Sequence, residues 1–506
     1  MTNTTIICDL KDLRAYLLSL FKKEWVISDE IAASIYDDVL VDYFDKFLPA
    51  IRFVVEFPYV DRVYRDSYYS YYSTKLGDYN KNCIKVSIFE NAIQEGDFRE
   101  NDKIEKLQQH YRGFMVLRPT IPYVIGRSVI DPNALKGEKF LHVTSSYPAT
   151  VNGVRLTAHG FPHSSQDTET ISCAETSVWA IMEYFSSRYP EYKPALPSMI
   201  IQTLKARSNV RQIPSEGLQT EQIGFALREF GFATKIYSRS EFGDIAFKRL
   251  FSGYVESGMP MIVAITNRLN IAHALVVIGR TPTTEDQIDQ LPVTTESDPY
   301  LNEIIQQKGI SLFDNDDINR QFVFIDDNIP PYQLQRYDSP AEHYNNADWS
   351  SCRINQFIVP MHQKMYLEAG FAKECVKKLL LNGDYPIQYG SEIFIRVFIT
   401  SSRSYKDYLA RDTSLQPDVK EFILNIAMPK FIWIGEISDK SDMKLKLAHG
   451  LFIIDATEPN FENYNSMIFG GYKDSFFYPD GQGGKLVINT LSLVRFNIYL
   501  NNLNGF

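Results

Sequence analysis

Hydrophobic positions along this chain follow two periods, and the switches between them outline its elements. Leu13, Tyr16, Leu17 and Leu20 fall at helical spacing, and a second helix is predicted from Asp29 to Phe44. Extended stretches follow, IRFVVEFPYV, NCIKVSIFE and FMVLRPTIPYVIG, rich in Val, Ile and Phe as strands require. The run YRDSYYSYY, Tyr64 to Tyr72, reads as the packing face of an amphipathic helix. From about residue 138 to 165 the chain reads as strands, with Asn152-Gly153 as a hairpin signal. Helices are predicted at Ser172 to Arg188, Ser198 to Ala206 and Thr220 to Phe230, the last closed by Gly231. A strand, ATKIYS, and a helix from about Glu241 to Glu256 lead into two apolar strands, MIVAIT and HALVVIG. A third, QFVFIDD, follows a polar stretch at about 281–319 that reads as a surface insertion. Later strands, RINQFIVPM, EIFIRVFIT, FIWIGEIS and GLFIIDAT, belong to a different pattern.

These changes divide the chain into an N-terminal α/β unit, a central unit and a C-terminal β-rich α/β unit. The expected ranges are 1–135, 136–340 and 341–506, with the second boundary between 335 and 360. At 506 residues the chain is too long for one ordinary core.

Composition narrows the function classes. The chain is 44% hydrophobic and 23% charged, as globular proteins are. A formal charge of −10 argues against a nucleic-acid partner, whose binding rests on Lys and Arg against phosphate. No run of about 18 apolar residues predicts a membrane span, and the first residues, with charges among the apolar positions, do not read as a signal peptide. Five cysteines without a CxxC pair fit free thiols in a reducing compartment, so a cytoplasmic location is expected. No His/Cys cluster has metal-ligand spacing, and neither a metal nor a cofactor is expected. Asp314, Asn315, Asp316 and Asp317 lack the spacing and terminal Glu of a calcium loop and read as a solvated turn. DGQGGK, residues 480–485, is a glycine-rich turn and not a phosphate-binding loop.

The candidate chemistry lies in the central unit. In SSQDTETISCAETSVWAIMEYF, Ser172 and Glu175 form an S-x-x-E capping box, so a helix starts at Cys173. A cysteine in a first helical turn meets the positive end of the dipole and unpaired N–H groups, and both favour thiolate over thiol. Trp179, further along the helix, reads as core. His273 opens the strand AHALVVIGR, and a hairpin with MIVAIT through the turn NRLN fixes it on one face. QFVFIDD ends in Asp326 and Asp327, and a carboxylate there could orient an imidazole. Gln166, seven residues before Cys173, could join the Cys173 N–H in stabilising an oxyanion. His159 and His163 are candidates to line the same cleft. His449 and Asp455, in the C-terminal unit, have no helix-start cysteine nearby and read as part of an accessory domain.

Gln, then Cys at a helix start, then His in an apolar strand pair, then a strand ending in Asp, resembles the papain-like cysteine peptidases over roughly residues 155–335. The closest likeness is to the bacterial branch that includes the double-glycine leader peptidases. The chain differs in having Ala174 after the cysteine, one extra residue between Gln and Cys, and a long insertion before the Asp strand. The resemblance implies an α+β papain-like core with two accessory domains. It implies Cys173 as nucleophile, His273 as base and Gln166 at the oxyanion. By strand register Asp327 is the third residue, with Asp326, one step before it, left open. The implied activity is cleavage of a peptide or protein amide through a thioester. Transamidation, deamidation or isopeptide cleavage by the same residues, and a non-catalytic scaffold, are the alternatives. The long flanks suggest a protein regulator or trigger, as in a bacterial effector or defence protease.

Overall fold

A computed structural model describes residues 4–505, apart from 78, 208–211, 214–216, 297, 345, 382–388, 460–465, 480–485 and 490. The glycine-rich turn at 480–485 lies outside the described residues. The fold is α+β, with three large sheets among the described residues.

The first sheet is antiparallel, in the order Thr4–Asp9, Ile51–Tyr59, Cys83–Glu90, Tyr111–Leu117, Ser128–Ile130 and Pro162–His163. Helix Leu10–Glu24, capped by Asp9, buries Leu13, Leu17, Leu20 and Phe21. The tyrosine-rich run forms helix Arg62–Ser70 and the turn Tyr72–Thr74, burying Tyr64 and Tyr72 while Tyr69 stays exposed.

The second sheet runs Phe232–Ser238, Arg353–His362, Met261–Thr266, Ala272–Arg280, Gln321–Ile325 and Gln333–Arg336, all antiparallel. Leu141–His142 also pairs with the end of Ala272–Arg280. That approach requires a glycine, because a Cβ at Gly279 would stand 2.0 Å from the Leu141 carbonyl oxygen. The third sheet begins with a parallel pair, Ser311–Asp314 beside Glu392–Ser401. It continues antiparallel through Phe431–Ser438, Gly450–Asp455, Met467–Tyr472, Ser475–Pro479 and Leu486–Asn489.

Three expectations are corrected by this topology. Arg353–His362 lies beyond the expected boundary at 340, yet it is an interior strand of the second sheet, hydrogen-bonded on both edges. The polar stretch at 281–319 is not a surface insertion. It buries Ile288, Leu301 and Leu312 and supplies the edge strand Ser311–Asp314 to the third sheet. The Asp314–Asp317 turn is not solvated, since Asp314, Asn315 and Asp316 are each 1% exposed. Lys373 pairs with Asp314 and Asp316, and Arg249 makes a two-pronged pair with Asp317 at 2.8 Å. Carboxylates tolerate burial when a cation and hydrogen bonds accompany them. Here the cations come from residues about sixty positions away in sequence, where local polarity cannot reveal them.

A buried ion network joins the second and third sheets. Glu256 ends helix Arg239–Glu256 and accepts from Arg280 at 2.6 and 2.9 Å, Arg396 at 2.7 Å and Arg320 at 3.3 Å. Arg396 also donates to Glu436 at 2.5 Å, and Glu436 accepts the Tyr499 N–H at 2.8 Å. Burial alone would raise the Glu256 pKa, but the surrounding guanidiniums hold it well below the usual carboxylate range. Replacing Glu256 by Ala removes the carboxylate that three buried guanidiniums share, and a loss of about 3–5 kcal/mol of stability is expected. Urea unfolding at constant slope measures it. A loss below about 1 kcal/mol, no more than an exposed pair is worth, would mean that the network does not join the sheets.

Candidate active site

The chain before Cys173 is folded back on itself by one carboxylate. Asp167 Oδ1 accepts the backbone N–H groups of Glu169, Thr170 and Ile171 at 2.7–3.0 Å, and the Asp167 N–H reaches the Ile171 carbonyl at 3.2 Å. This loop returns Gln166 toward the residue before the helix. The buried Arg118 guanidinium anchors it by donating to the carbonyls of Ser165 and Gln166 at 2.7 and 3.0 Å. Helix Cys173–Arg188 then starts as expected, with the Glu175 carboxylate accepting the Ser172 N–H at 3.2 Å and the Ser172 hydroxyl as a second donor. Every residue from Ala174 to Phe185 is buried, Trp179 included. Cys173 itself is only partly buried.

The hairpin places His273. Asn267 closes the turn, its side-chain oxygen accepting the N–H groups of Leu269 and Ile271 at 2.9 and 2.8 Å. His273 thereby sits opposite Ile265, 7% exposed, with the Cys173 thiol within hydrogen-bonding reach of its ring. Its Nε2 meets Asp326 Oδ1 at 3.0 Å, which leaves Nδ1 as the basic nitrogen. Trp349 and Tyr344 set their rings nearly perpendicular to the imidazole. Cys352, buried on the adjoining segment, lies close enough to feel the charge on His273.

Of the two carboxylates after strand Gln321–Ile325, the one bonded to His273 is Asp326, whereas register pointed to Asp327. Asp326 is fully buried and takes four donors. The His273 ring and the Asn328 N–H reach Oδ1 at 3.0 Å each; His343 Nε2 at 3.2 Å and the Tyr344 hydroxyl at 2.7 Å reach Oδ2. Asp327 stands 3.7 Å from the same imidazole nitrogen, and among the described residues neither of its oxygens meets a hydrogen-bond donor. Strand alternation chooses a face only while the strand lasts, and both residues lie just past its end. Local donors decide instead.

The electrostatics follow from that division. Burial opposes a charged His273, but the charge and hydrogen bond of Asp326, the thiol contact and Asp327 outweigh it and lift the ring well above its ordinary range. Asp326 is likewise opposed by burial, yet His273, His343 and the Asn328 N–H hold it far below the usual carboxylate value. Burial pushes Asp327 up to about 7, with His273 opposing and the Asp326 charge reinforcing the rise. Two adjacent buried carboxylates cannot both carry charge at low cost.

Gln166 donates its amide to Asn328 Oδ1 at 2.7 Å, and Asn328 Nδ2 donates to the Tyr344 hydroxyl at 3.1 Å, so Gln166 belongs to the same hydrogen-bonded chain as Asp326. His163 is buried behind the pair, bonded to the Tyr43 hydroxyl at 3.0 Å, and burial lowers it to about 4 despite the Asp326 charge. His159 lies on an exposed hairpin against Ser146, outside this group. His449 pairs with Asp442 at 2.8 Å and not with Asp455, which bonds its own turn at Thr457. His343, Tyr344 and Trp349 are site neighbours that the sequence reading missed. Their signal was a cluster of rings inside a polar stretch taken for a domain boundary.

His273, Asp326 and Asp327 offer ligand atoms within 4.8 Å of one another, as do Asp439, Asp442 and His449. In each group some of the ligand atoms are already committed, Asp327 being the exception in the first. Asp326 takes four hydrogen bonds, while Asp439 caps helix Lys440–Lys444 and Asp442 binds His449. Among the described residues no helix is long and apolar enough to cross a membrane. Comparison with family models, curated proteins and solved structures gives no match.

A raised Asp327 makes stability depend on pH. The folded state holds this proton more tightly than the unfolded chain, whose carboxyl titrates at about 4. The contribution is present below that value and is lost as pH rises through about 7. Asp327→Asn is therefore expected to gain in melting temperature over wild type progressively from pH 4 to pH 7.5. A difference independent of pH would show that Asp327 is not held protonated by the fold.

Proposed function

We propose that this chain is a cysteine peptidase with a papain-like core, hydrolysing a peptide or protein amide bond. Cys173 is the nucleophile, His273 the general base and acid, and Asp326 the group that orients the ring. One observation carries the reading. A thiol in the first turn of a buried helix lies within bonding reach of an imidazole whose Nε2 is bonded to a buried, ionised carboxylate.

His273 takes the thiol proton, and the sulfur attacks the amide carbonyl carbon to give a tetrahedral oxyanion. The Cys173 N–H, one of the unpaired donors of a helix start, faces that oxygen. The Gln166 amide becomes a second donor once it turns from Asn328. Collapse breaks the C–N bond while the imidazolium protonates the departing amine, leaving a thioester. His273 then removes a proton from water, the hydroxide attacks the thioester, and the thiol and a carboxylic acid are released. Asp326 stays ionised throughout and stabilises the imidazolium.

Iodoacetamide labelling near neutral pH, followed by peptide mass spectrometry, tests the pair directly. The other four thiols are buried and serve as internal references. Cys173 is expected to label first, and His273→Ala is expected to slow it on the order of 10²-fold or more. Peptide-library cleavage abolished by Cys173→Ala is expected to accompany this. Labelling of Cys173 no faster than Cys8 or Cys375 would rule out an activated thiolate.

A further inference from the structure

The segment at 342–350 lies outside the residues that carry the Cys173, His273 and Asp326 arrangement. It joins the edge strand Gln333–Arg336 to the interior strand Arg353–His362 as a turn, Glu342–Tyr344, and a short helix, Ala347–Ser350. It is nevertheless built into the site. The His343 side chain is 9% exposed, with its Nε2 on Asp326 Oδ2 at 3.2 Å. Tyr344 places its hydroxyl 2.7 Å from the same oxygen and 3.3 Å from His273 Nε2. The Asn328 amide reaches this hydroxyl at 3.1 Å, orienting it so that its proton points to the carboxylate.

Asp326 and Asp327 are adjacent, both buried, and both within 4 Å of one imidazole nitrogen. They differ in what else they meet. Asp326 receives two donors from this segment, whereas among the described residues Asp327 receives none and borders a small cavity to which Asp38 and Asp42 also contribute carboxylates. Hydrogen bonds to a carboxylate favour its charged form, and a neighbouring negative charge disfavours it. We infer that His343 and Tyr344 are positioning residues that select Asp326 over Asp327 as the partner of His273. The inference rests on the peptidase reading and adds a control to it. The segment holds the imidazole in register with Cys173, and releasing it would hand the ring to the second carboxylate.

The groups facing His273 from the elements packed around it are Cys173, Asp326, Asp327, Tyr344 and Cys352; Tyr43, His163 and His343 face the carboxylates. The test is the rate of Cys173 alkylation by iodoacetamide between pH 4 and pH 10, in the full chain, for wild type, Tyr344→Phe, His343→Gln and the double variant. Tyr344→Phe keeps the ring and its packing and removes one hydrogen bond to a charged group. A rate about tenfold lower near pH 6 is expected, with the rise in rate displaced along the pH axis. His343→Gln is expected to act in the same direction. Asp327→Asn is then added to wild type and to the double variant. It is expected to cost more in the double variant, where Asp327 has become the partner, and this non-additivity is what a merely structural role would not produce.

Two outcomes overturn the inference while leaving the peptidase reading intact. One is a wild-type Cys173 that is hyper-reactive with variants that follow the same pH profile. The other is an Asp327→Asn effect equal in both backgrounds. A wild-type Cys173 no more reactive than the buried thiols would overturn the peptidase reading first, and the inference with it.

Discussion

The structure depends on one constraint, the burial of helix Cys173–Arg188 between two sheets. Its residues from Ala174 to Phe185 leave water entirely, and they share a single core with strands of the first sheet and with Ala274, Val276 and Ile278 of the second. Two of them are acidic, Glu175 in the capping box and Glu183, which is held by Arg62 and Arg127 at 2.6 and 2.7 Å. A helix packed on both sides cannot shift without opening both cores. Apart from its last residues, Ser186 to Arg188, the helix reaches the surface at its first turn, and the residue there is Cys173. The Cys173 thiol is therefore fixed relative to the strand that carries His273 by a helix buried on both sides.

That strand is pinned at both ends. At one end the Asn267 turn sets His273 opposite Ile265. At the other, Arg280 is tied to Glu256 and through it to Arg396 and Glu436 of the third sheet. The flanking sheets are thus structural members of the site. The first sheet supplies one wall of helix Cys173–Arg188, and the third anchors the far end of the His273 strand. This explains why boundaries at 135 and 340 divide a fold whose hydrogen bonds run across them.

Much of the site was legible locally. The S-x-x-E pattern gave the helix start to the residue, and the paired apolar strands with NRLN between them gave the hairpin and the position of His273. What was not legible is set by contacts distant in sequence. Asp326 and Asp327 look alike to any reading of periodicity, and the donors that distinguish them come from residues 343 and 344. The Asp314–Asp317 turn looked solvated because Lys373 lies on a helix about sixty positions later in the chain. His343, Tyr344 and Trp349 fell at the expected domain boundary because the histidine that the last two pack against lies about seventy positions earlier.

The central claim is that Asp326 holds His273 as the charged partner of Cys173. Nitrogen NMR of the His273 imidazole, assigned by the signal lost in His273→Ala, measures this without a substrate. The ring is expected to remain doubly protonated well above its ordinary range in wild type, and to titrate lower in Asp326→Asn. A wild-type His273 that titrates near the ordinary histidine value of about 6.5, or one unchanged by Asp326→Asn, would contradict the account.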